Sequence, residues 1–313
     1  MSREERRHQT TIAEALAKGA AAKSAIAASW ARSASFGLSP SDRLRHERLD
    51  ERSLMLLRQR MAPLLRAARP TMERLFQAVG GFGASVLLAS HEGIAVERIG
   101  KASEDKDFAE AGLWTGTLWT EAAVGTNAIG TCLTEGRPVT IHRNQHFLSH
   151  NIGLSCISAP IHDSEGKLRA VLDVSTVRKD LAEAFMPLIS QSVADAARRV
   201  EADLFAARFA KARMVLVPNV LGGLLAVDAD ELVIGANRAA KQALSLSGDL
   251  ARNPLPLGDL LGLYSHQRPD EGERAVLTRA IARAGGNLSA AARALGISRA
   301  TLHRKLARDL SQS

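Results

Sequence analysis

The chain has 313 residues, is 46% hydrophobic and carries a formal net charge of +8. That length accommodates two or three domains. No apolar run approaches the roughly eighteen residues of a membrane span, the start MSREERRHQT lacks the apolar core of a secretory signal, and two cysteines, Cys132 and Cys156, supply no disulfide framework, so a cytoplasmic protein without membrane contact is expected.

Residues 1–65 read as an N-terminal helical region. Residues 1–29 are Ala-rich and favour helix. SWARSASFGLSP follows, in which Trp30 and Phe36 are bulky among small neighbours and Gly37 and Pro40 break the helix. Helical patterning returns over 44–79 through Leu54, Leu57, Met61, Leu64 and Leu65, interrupted by Pro63 and Pro70. This predicts a helical collar that packs on the next domain or on a second copy of itself.

From Ala84 the period changes to that of strands. SVLLAS and IAVERIG are paired across the turn His91-Glu92-Gly93. Residues 101–120 read as irregular and hold Phe108, Trp114 and Trp119. Thr126 can cap a short helix, NAIGTCLTE, closed by Gly136. Strands are expected at 138–142, 156–162 and 168–176, then a long amphipathic helix over 180–212. Strand pairs between flanking helices predict an α+β sensor domain over 66–210.

The residues then identify the kind of sensor. TLWTEAAVGTNAIGTCLTEGRPVTIHRNQHFLSH, followed by SCISAPIHDSEGKLRAVLDVS, resembles the GAF domain of acetoin-type sigma-54-dependent activators. SWARSASFGLSP is similar to the Ser-Trp-x-Arg entry segment of those proteins. The resemblance implies a six-stranded antiparallel sheet with a small-molecule pocket on one face. Phe108, Trp114 and Trp119 then become candidates for apolar pocket walls, with Thr126 and Asn127 as orienting polar groups. Core packing and helix capping are the competing roles for the same residues.

Residues 213–263 contain LGGLLAVDADELVIGANRAAKQALSLSGDL. Two short strands around Asp228–Glu231 and a helix from Asn237 resemble a reduced PAS segment; a linker with a hairpin is the alternative. Residues 252–270, with Pro254, Pro256 and Pro269, read as a loop.

Residues 270–313 read as three helices. The first carries Val276, Leu277, Ala280, Ile281 and Ala284 at helical spacing and ends at Gly285-Gly286. Asn287 can cap the second, which presents Leu288, Ala291, Ala292 and Leu295 on one side. Gly296 permits a left-handed turn, Ile297 packs inward and Ser298 can cap the third. Leu302 and Leu306 point to the core, which leaves Ser298, Arg299, Thr301, His303, Arg304, Lys305 and Arg308 for the open side. This is a helix-turn-helix whose third helix suits the major groove, with Arg and Lys matched to guanine edges and phosphates. GNLSAAARALGISRATLHRKL resembles the domain shared by Fis and the sigma-54 enhancer-binding activators. Charge agrees. Residues 1–66 hold thirteen Lys/Arg against seven Asp/Glu, residues 271–310 hold eight against three, and the remainder is net acidic.

The activators of that family carry an ATPase between sensor and helix-turn-helix. This chain has no GxxxxGK[ST] phosphate loop, and no stretch of about 230 residues to hold such a domain. No catalytic residues, metal or cofactor are expected. His142, His146 and His150 are spaced by four, but strand pattern runs into His142, so ordinary polar roles are preferred to metal binding. Buried cysteine is the commoner state, which disfavours redox sensing at Cys132 and Cys156. No second cysteine sits beside either, which argues against the methionine-sulfoxide chemistry of some GAF-like enzymes. The expected partners are double-stranded DNA, a small-molecule effector, a second copy of the chain, and RNA polymerase or a related activator. The alternative function is an interaction protein that modulates an ATPase-bearing relative.

Overall fold

The computed structural model describes residues 2–43, 46–178, 183–262 and 273–310, with the side chains of 273–274 and 307–310 left out. Contacts divide the chain into two units, Met1–His162 with Lys167–Glu201, and Asp163–Gly166 with Ala202–Ser313.

The first unit opens with α1 (Arg3–Ala17) and α2 (Ala25–Ser35), capped by Ser2 and Ser24. The collar expected over 44–79 is two helices, α3 (Glu51–Arg60) and α4 (Ala62–Val79). Pro63 sits in the first turn of α4, where a missing N–H is tolerated, so the chain restarts there. Residues 44–45 lie outside the described residues. β1 (Ala84–Ser90) and β2 (Ala95–Ile99) form the expected hairpin. Within the segment read as irregular, a short helix forms, α5 (Asp105–Glu110). Then come α6 (Glu121–Val124), α7 (Ala128–Glu135), β3 (Val139–His142), β4 (Ser155–His162), β5 (Leu168–Thr176) and the long α8 (Met186–Arg208), whose residues from Ala202 on fall in the second unit. Residues 179–182, where the long helix was expected to begin, lie outside the described residues.

The sheet is antiparallel in the order β2-β1-β5-β4-β3. It has five strands where the resemblance implied six. Beyond β2 the chain continues the sheet only by isolated bridges: Ala95 N donates to Thr117 O at 3.0 Å and Trp119 N to Gly93 O at 2.8 Å. Gly112 and Gly116, at φ 73 and 89, bend this segment out of a regular ladder. One sheet face carries Val86, Leu88, Leu172 and Val174, and α4 packs on the β1–β2 side. The opposite face carries Leu87, Ala89, Val171, Ile141 and Cys156. It is sealed by a cluster that includes Ile12, Trp30, Phe108, Trp119, Ile129, Cys132 and Phe147. The N-terminal helices therefore belong to the sensor's core.

In the second unit a four-stranded sheet runs β6-β7-β8-β9 from β6 (Arg213–Leu216), β7 (Leu224–Val227), β8 (Leu232–Ala236) and β9 (Leu255–Pro256), with α9 (Arg238–Ala243) capped by Asn237. The turn at 228–231 and the helix after Asn237 stand where the sequence put them. The stretch read as loop from 252 instead contains β9 and α10 (Leu257–Leu260); residues 263–272 lie outside the described residues. The three helices follow as α11 (Glu273–Arg283), α12 (Leu288–Ala294) and α13 (Arg299–Leu310).

Candidate functional site

The helix-turn-helix is built on five buried residues, Leu277, Ala280, Ala291, Ala292 and Leu302, ringed by Ile281, Leu288, Leu295, Ile297 and Leu306. Alanine at 291 and 292 lets α12 approach its neighbours closely; a longer side chain at either would overpack the crossing. Asn287 accepts from the N–H groups of Ser289 and Ala290 and caps α12. Gly296 holds φ 68, and Ile297 N closes the turn onto Ala292 O at 3.0 Å. The Ser298 hydroxyl accepts from Thr301 N at 3.0 Å and starts α13. On the open side Ser298, Arg299, His303 and Arg304 are exposed, while Thr301 and Lys305 are half-buried. Arg308 falls outside the described side chains. The N-terminal turn of α13 thus presents a basic, polar edge over an apolar base, the arrangement a base-reading helix needs.

In the sensor, the five residues proposed from sequence do four different things. Phe108 and Trp114 sandwich the Arg98 guanidinium, whose carbon lies 4.8 and 4.5 Å from the two ring centres. Arg98 also bonds Asp105 at 2.7 Å. Trp119 is fully buried, lies 4.9 Å from the His46 ring and donates its indole N–H to Gly112 O. Thr126 does not cap α7. Asn127 does, one residue on, by accepting from Gly130 N at 2.8 Å. The Thr126 hydroxyl instead turns towards α2.

There it meets a buried network that sequence reading missed. Glu121, 3% exposed, receives Arg32 through two guanidinium nitrogens at 2.6 and 2.8 Å, Ser29 at 2.5 Å and Thr131 at 2.8 Å. Burial pushes the Glu121 carboxyl up, but hydrogen bonds from Arg32, Ser29 and Thr131 outweigh it and leave the pKa lowered. Ser29 Oγ also lies 2.7 Å from Thr126 Oγ1, and the indole N–H of Trp30 donates to Gln145 O. The entry segment SWARSAS and the segment GTNAIGT are therefore the two halves of one lock. Gly130 is part of it, because a Cβ there would stand 2.6 Å from Glu121 N and 2.7 Å from Trp119 O.

The histidines serve the same docking. His8 on α1 is buried and bonds His146 O at 2.8 Å and Ser149 Oγ at 3.1 Å. His146 is fully buried with Nδ1 against Arg143 O, and desolvation pushes its pKa down to about 4. His142 pairs with Ser155 Oγ, and His150 with Asp42 O. They share no helical face, and among the described residues no group of three or more His, Cys, Asp or Glu could hold a metal ion. Cys132 and Cys156 are both buried, and desolvation raises both thiols well above their ordinary value, which opposes thiolate chemistry.

Comparison with known proteins matches residues 2–199 to the family described as MimR, N-terminal domain, and residues 269–308 to the Fis family of bacterial regulatory proteins. The acetoin catabolism regulatory protein of Cupriavidus necator is 32% identical over 310 residues, which cover 89% of this chain and 46% of that protein. The propane 2-monooxygenase operon transcriptional activator MimR of Mycolicibacterium smegmatis is 29% identical over 192 residues, 58% of this chain and 32% of that one. The chain thus spans less than half the length of these curated relatives. Among solved structures, the E. coli DhaR(N)–DhaL complex aligns with a TM-score of 0.53 at 16% identity, covering 71% of this chain and 76% of that one, a likeness of fold.

Proposed function

The chain belongs to the regulator family defined by the MimR N-terminal domain, and on that premise we propose that it binds DNA sequence-specifically through α13, under the control of a small molecule held by its sensor sheet. The observation that carries this is the pairing, in one chain, of a Fis-type helix-turn-helix with an exposed basic edge and a sealed sensor core. It is a transcriptional regulator; effector control, dimeric state and cytoplasmic location are the finer points of the proposal. The division we propose is a helical region over 1–65 that completes the core of a sensor over 66–210, a PAS-like segment over 213–263 and a DNA-binding domain over 270–313. Phe108, Trp114, Trp119, Thr126 and Asn127 form the inner wall and frame of the sensor. Two-fold symmetry would let the pair of recognition helices read two half-sites.

Regulation proceeds without ATP hydrolysis in this reading. About seventy residues separate the sensor match from the Fis match, too few for an ATPase domain, and they contain no phosphate loop. The effect on transcription then comes from occupancy of the site or from contact with polymerase. Nuclease footprinting of the purified chain on the DNA it selects from a genomic pool tests this. A protected site lost in Arg299→Ala with Arg304→Ala supports it; protection unchanged in that double variant overturns it.

A second reading, modulation of an ATPase-bearing relative through protein contact, has one observation behind it. The E. coli neighbour of similar fold was solved in complex with another protein, DhaL. Co-purification with a full-length activator in the absence of DNA would favour that reading.

A further inference from the structure

The helices α3 and α4 carry a charge pattern unlike that of the sheet beside them. Residues 51–79, which form the two helices, hold six arginines and no lysine against Glu51 and Glu73. Residues 84–178, which form the sheet and its cover, hold eight Lys/Arg against eleven Asp/Glu. Both helices lie over the β1–β2 end of the sheet. Arg58 Nε donates to Val96 O at 2.7 Å, and α4 buries Leu64, Ala68, Met72 and Leu75 on its inner side. Their outward sides expose Arg52, Arg60, Arg66, Arg69 and Arg74. Arg69 is met by Glu73 at 3.1 Å, and Arg74 reaches Thr71 at 2.8 Å. The side chains of Arg52, Arg60 and Arg66 have no partner among the described residues.

A face that only faces water needs neither a single cation type nor missing counter-charges. Arginine's planar fork binds phosphate through two parallel hydrogen bonds, where lysine offers a point charge. A second copy of the chain fits this face poorly. A two-fold interface sets the same patch against itself, so guanidinium would meet guanidinium. Two large apolar side chains, Met55 and Leu56, are exposed on α3, far short of the roughly 20 residues a side that a stable protein interface uses. Duplex DNA fits on both counts. Its phosphates need no apolar core, and they supply one negative charge per about 1.7 Å of axis. From Arg66 to Arg74 the helix rises about 12 Å, a length over which a duplex carries about seven charges.

We propose that the outward face of α3 and α4 holds the phosphate backbone of duplex DNA flanking the sequence that α13 reads. The contact adds affinity and no base preference, because phosphates carry no sequence information. Salt dependence is its mark, since each phosphate neutralised releases condensed counterions. The inference rests on the DNA-binding role proposed above and adds a second contact to it, made by the sensor's own helices.

The test is equilibrium binding of the full chain, over a series of salt concentrations, to two duplexes. One is trimmed to the footprinted site, and the other extends several helical turns beyond it on both sides. Wild type is compared with the triple variant Arg52→Gln, Arg60→Gln, Arg66→Gln and with the matching lysine triple. The glutamine triple removes no internal hydrogen bond, so its thermal midpoint should match wild type. Wild type should bind the extended duplex more tightly and with a steeper salt dependence. The glutamine triple should lose that gain, its log–log salt slope falling by about 0.9 per phosphate contact, roughly 3 in all. The lysine triple should recover the slope. Equal slopes for wild type and the glutamine triple on the extended duplex, or an equal loss on both duplexes, overturns the contact. So does a fall in molecular mass of the glutamine triple in light scattering, which would make the face a self-association surface. Tighter binding of wild type to phosphatidylserine vesicles than to the extended duplex overturns it too. Arg299→Ala with Arg304→Ala separates this contact from the α13 reading: that variant should lose preference for the site and keep the gain from the flanks. A chain that binds neither duplex overturns both.

Discussion

Inside the helix-turn-helix the central cluster of Leu277, Ala280, Ala291, Ala292 and Leu302 is apolar, and Arg299, His303 and Arg304 of α13 stay at the surface. Inside the sensor the reverse holds. A carboxylate with a bidentate arginine, a second carboxylate with two serines, and the histidines His8 and His146 are all buried between helices and sheet. The difference follows from what each part meets. DNA is read from outside, so its ligands stay wet and the core needs only to hold a helix in place. A sealed sensor must put polar groups inside, where each is stabilising only while partnered. Substitutions should therefore cost stability in the sensor and affinity in the helix-turn-helix.

The largest effect is expected at the lock. Glu121→Ala takes the shared acceptor from Arg32, Ser29 and Thr131 and leaves Arg32 only its longer contact to Glu135 at 3.3 Å; removing one partner of a buried pair costs about 3–5 kcal/mol. Arg32 keeps 30% exposure, so the lower end of that range should appear in denaturant unfolding. A loss below about 1 kcal/mol would show the lock to be a surface pair.

The second effect concerns Asp173 and pH. Its folded pKa is raised from 3.8 to about 6, so the native state holds a proton that the unfolded chain has released in that window. Native stability therefore gains from Asp173 as pH falls from 6 towards 4, and is penalised above 6 by on the order of 2–3 kcal/mol. His146 acts with opposite sign, because its pKa is lowered from 6.5 to about 4 and the unfolded chain binds a proton that the native state refuses. The two nearly cancel across the same window. Asp173→Asn should raise stability at pH 7 and steepen its loss on acidification. Parallel pH profiles for the variant and wild type would contradict this.

Third, Ala292→Leu overpacks the helix crossing and should cost about 1–3 kcal/mol, read as lost DNA binding with the sensor's near-ultraviolet signal retained. The smallest change in stability, within about 0.5 kcal/mol, is expected for Arg299→Ala and Arg304→Ala. Each should still weaken operator binding by roughly 1–3 kcal/mol if it reads a base. Loss of fold in either variant would show that the arginine supports the helix pair.

The same contrast explains what the sequence disclosed. The helix-turn-helix was legible almost to the residue, because its caps Asn287 and Ser298, its turn at Gly296 and its apolar stripe all act within forty residues. The sensor's strands were legible by alternation, and its entry and GTNAIGT segments stood out as motifs. What they do was not, since Ser29 and Arg32 meet Glu121 about ninety residues away. Local pattern also misplaced the α7 cap by one residue: Thr126 and Asn127 both suit a cap, and the Thr126 hydroxyl is engaged by Ser29 and Ser33 of α2 while Asn127 takes the cap. Asp173 passed unnoticed because LDVS reads as an ordinary strand, and the register that puts it beside Ser158 and Ser175 is tertiary. The sixth strand implied by resemblance dissolves into bridges where Gly112 and Gly116 bend the chain.

The claim that joins the two parts is that the sensor's occupancy sets the affinity of α13 for DNA. It is tested most directly by the equilibrium affinity of the full chain for its footprinted operator, with and without a small molecule that, picked from a metabolite panel, saturates the sensor in calorimetry. Differential binding of the molecule to two states of the protein predicts a change of tenfold or more, about 1.4 kcal/mol of coupling. An operator affinity identical with and without the saturating molecule would contradict the account.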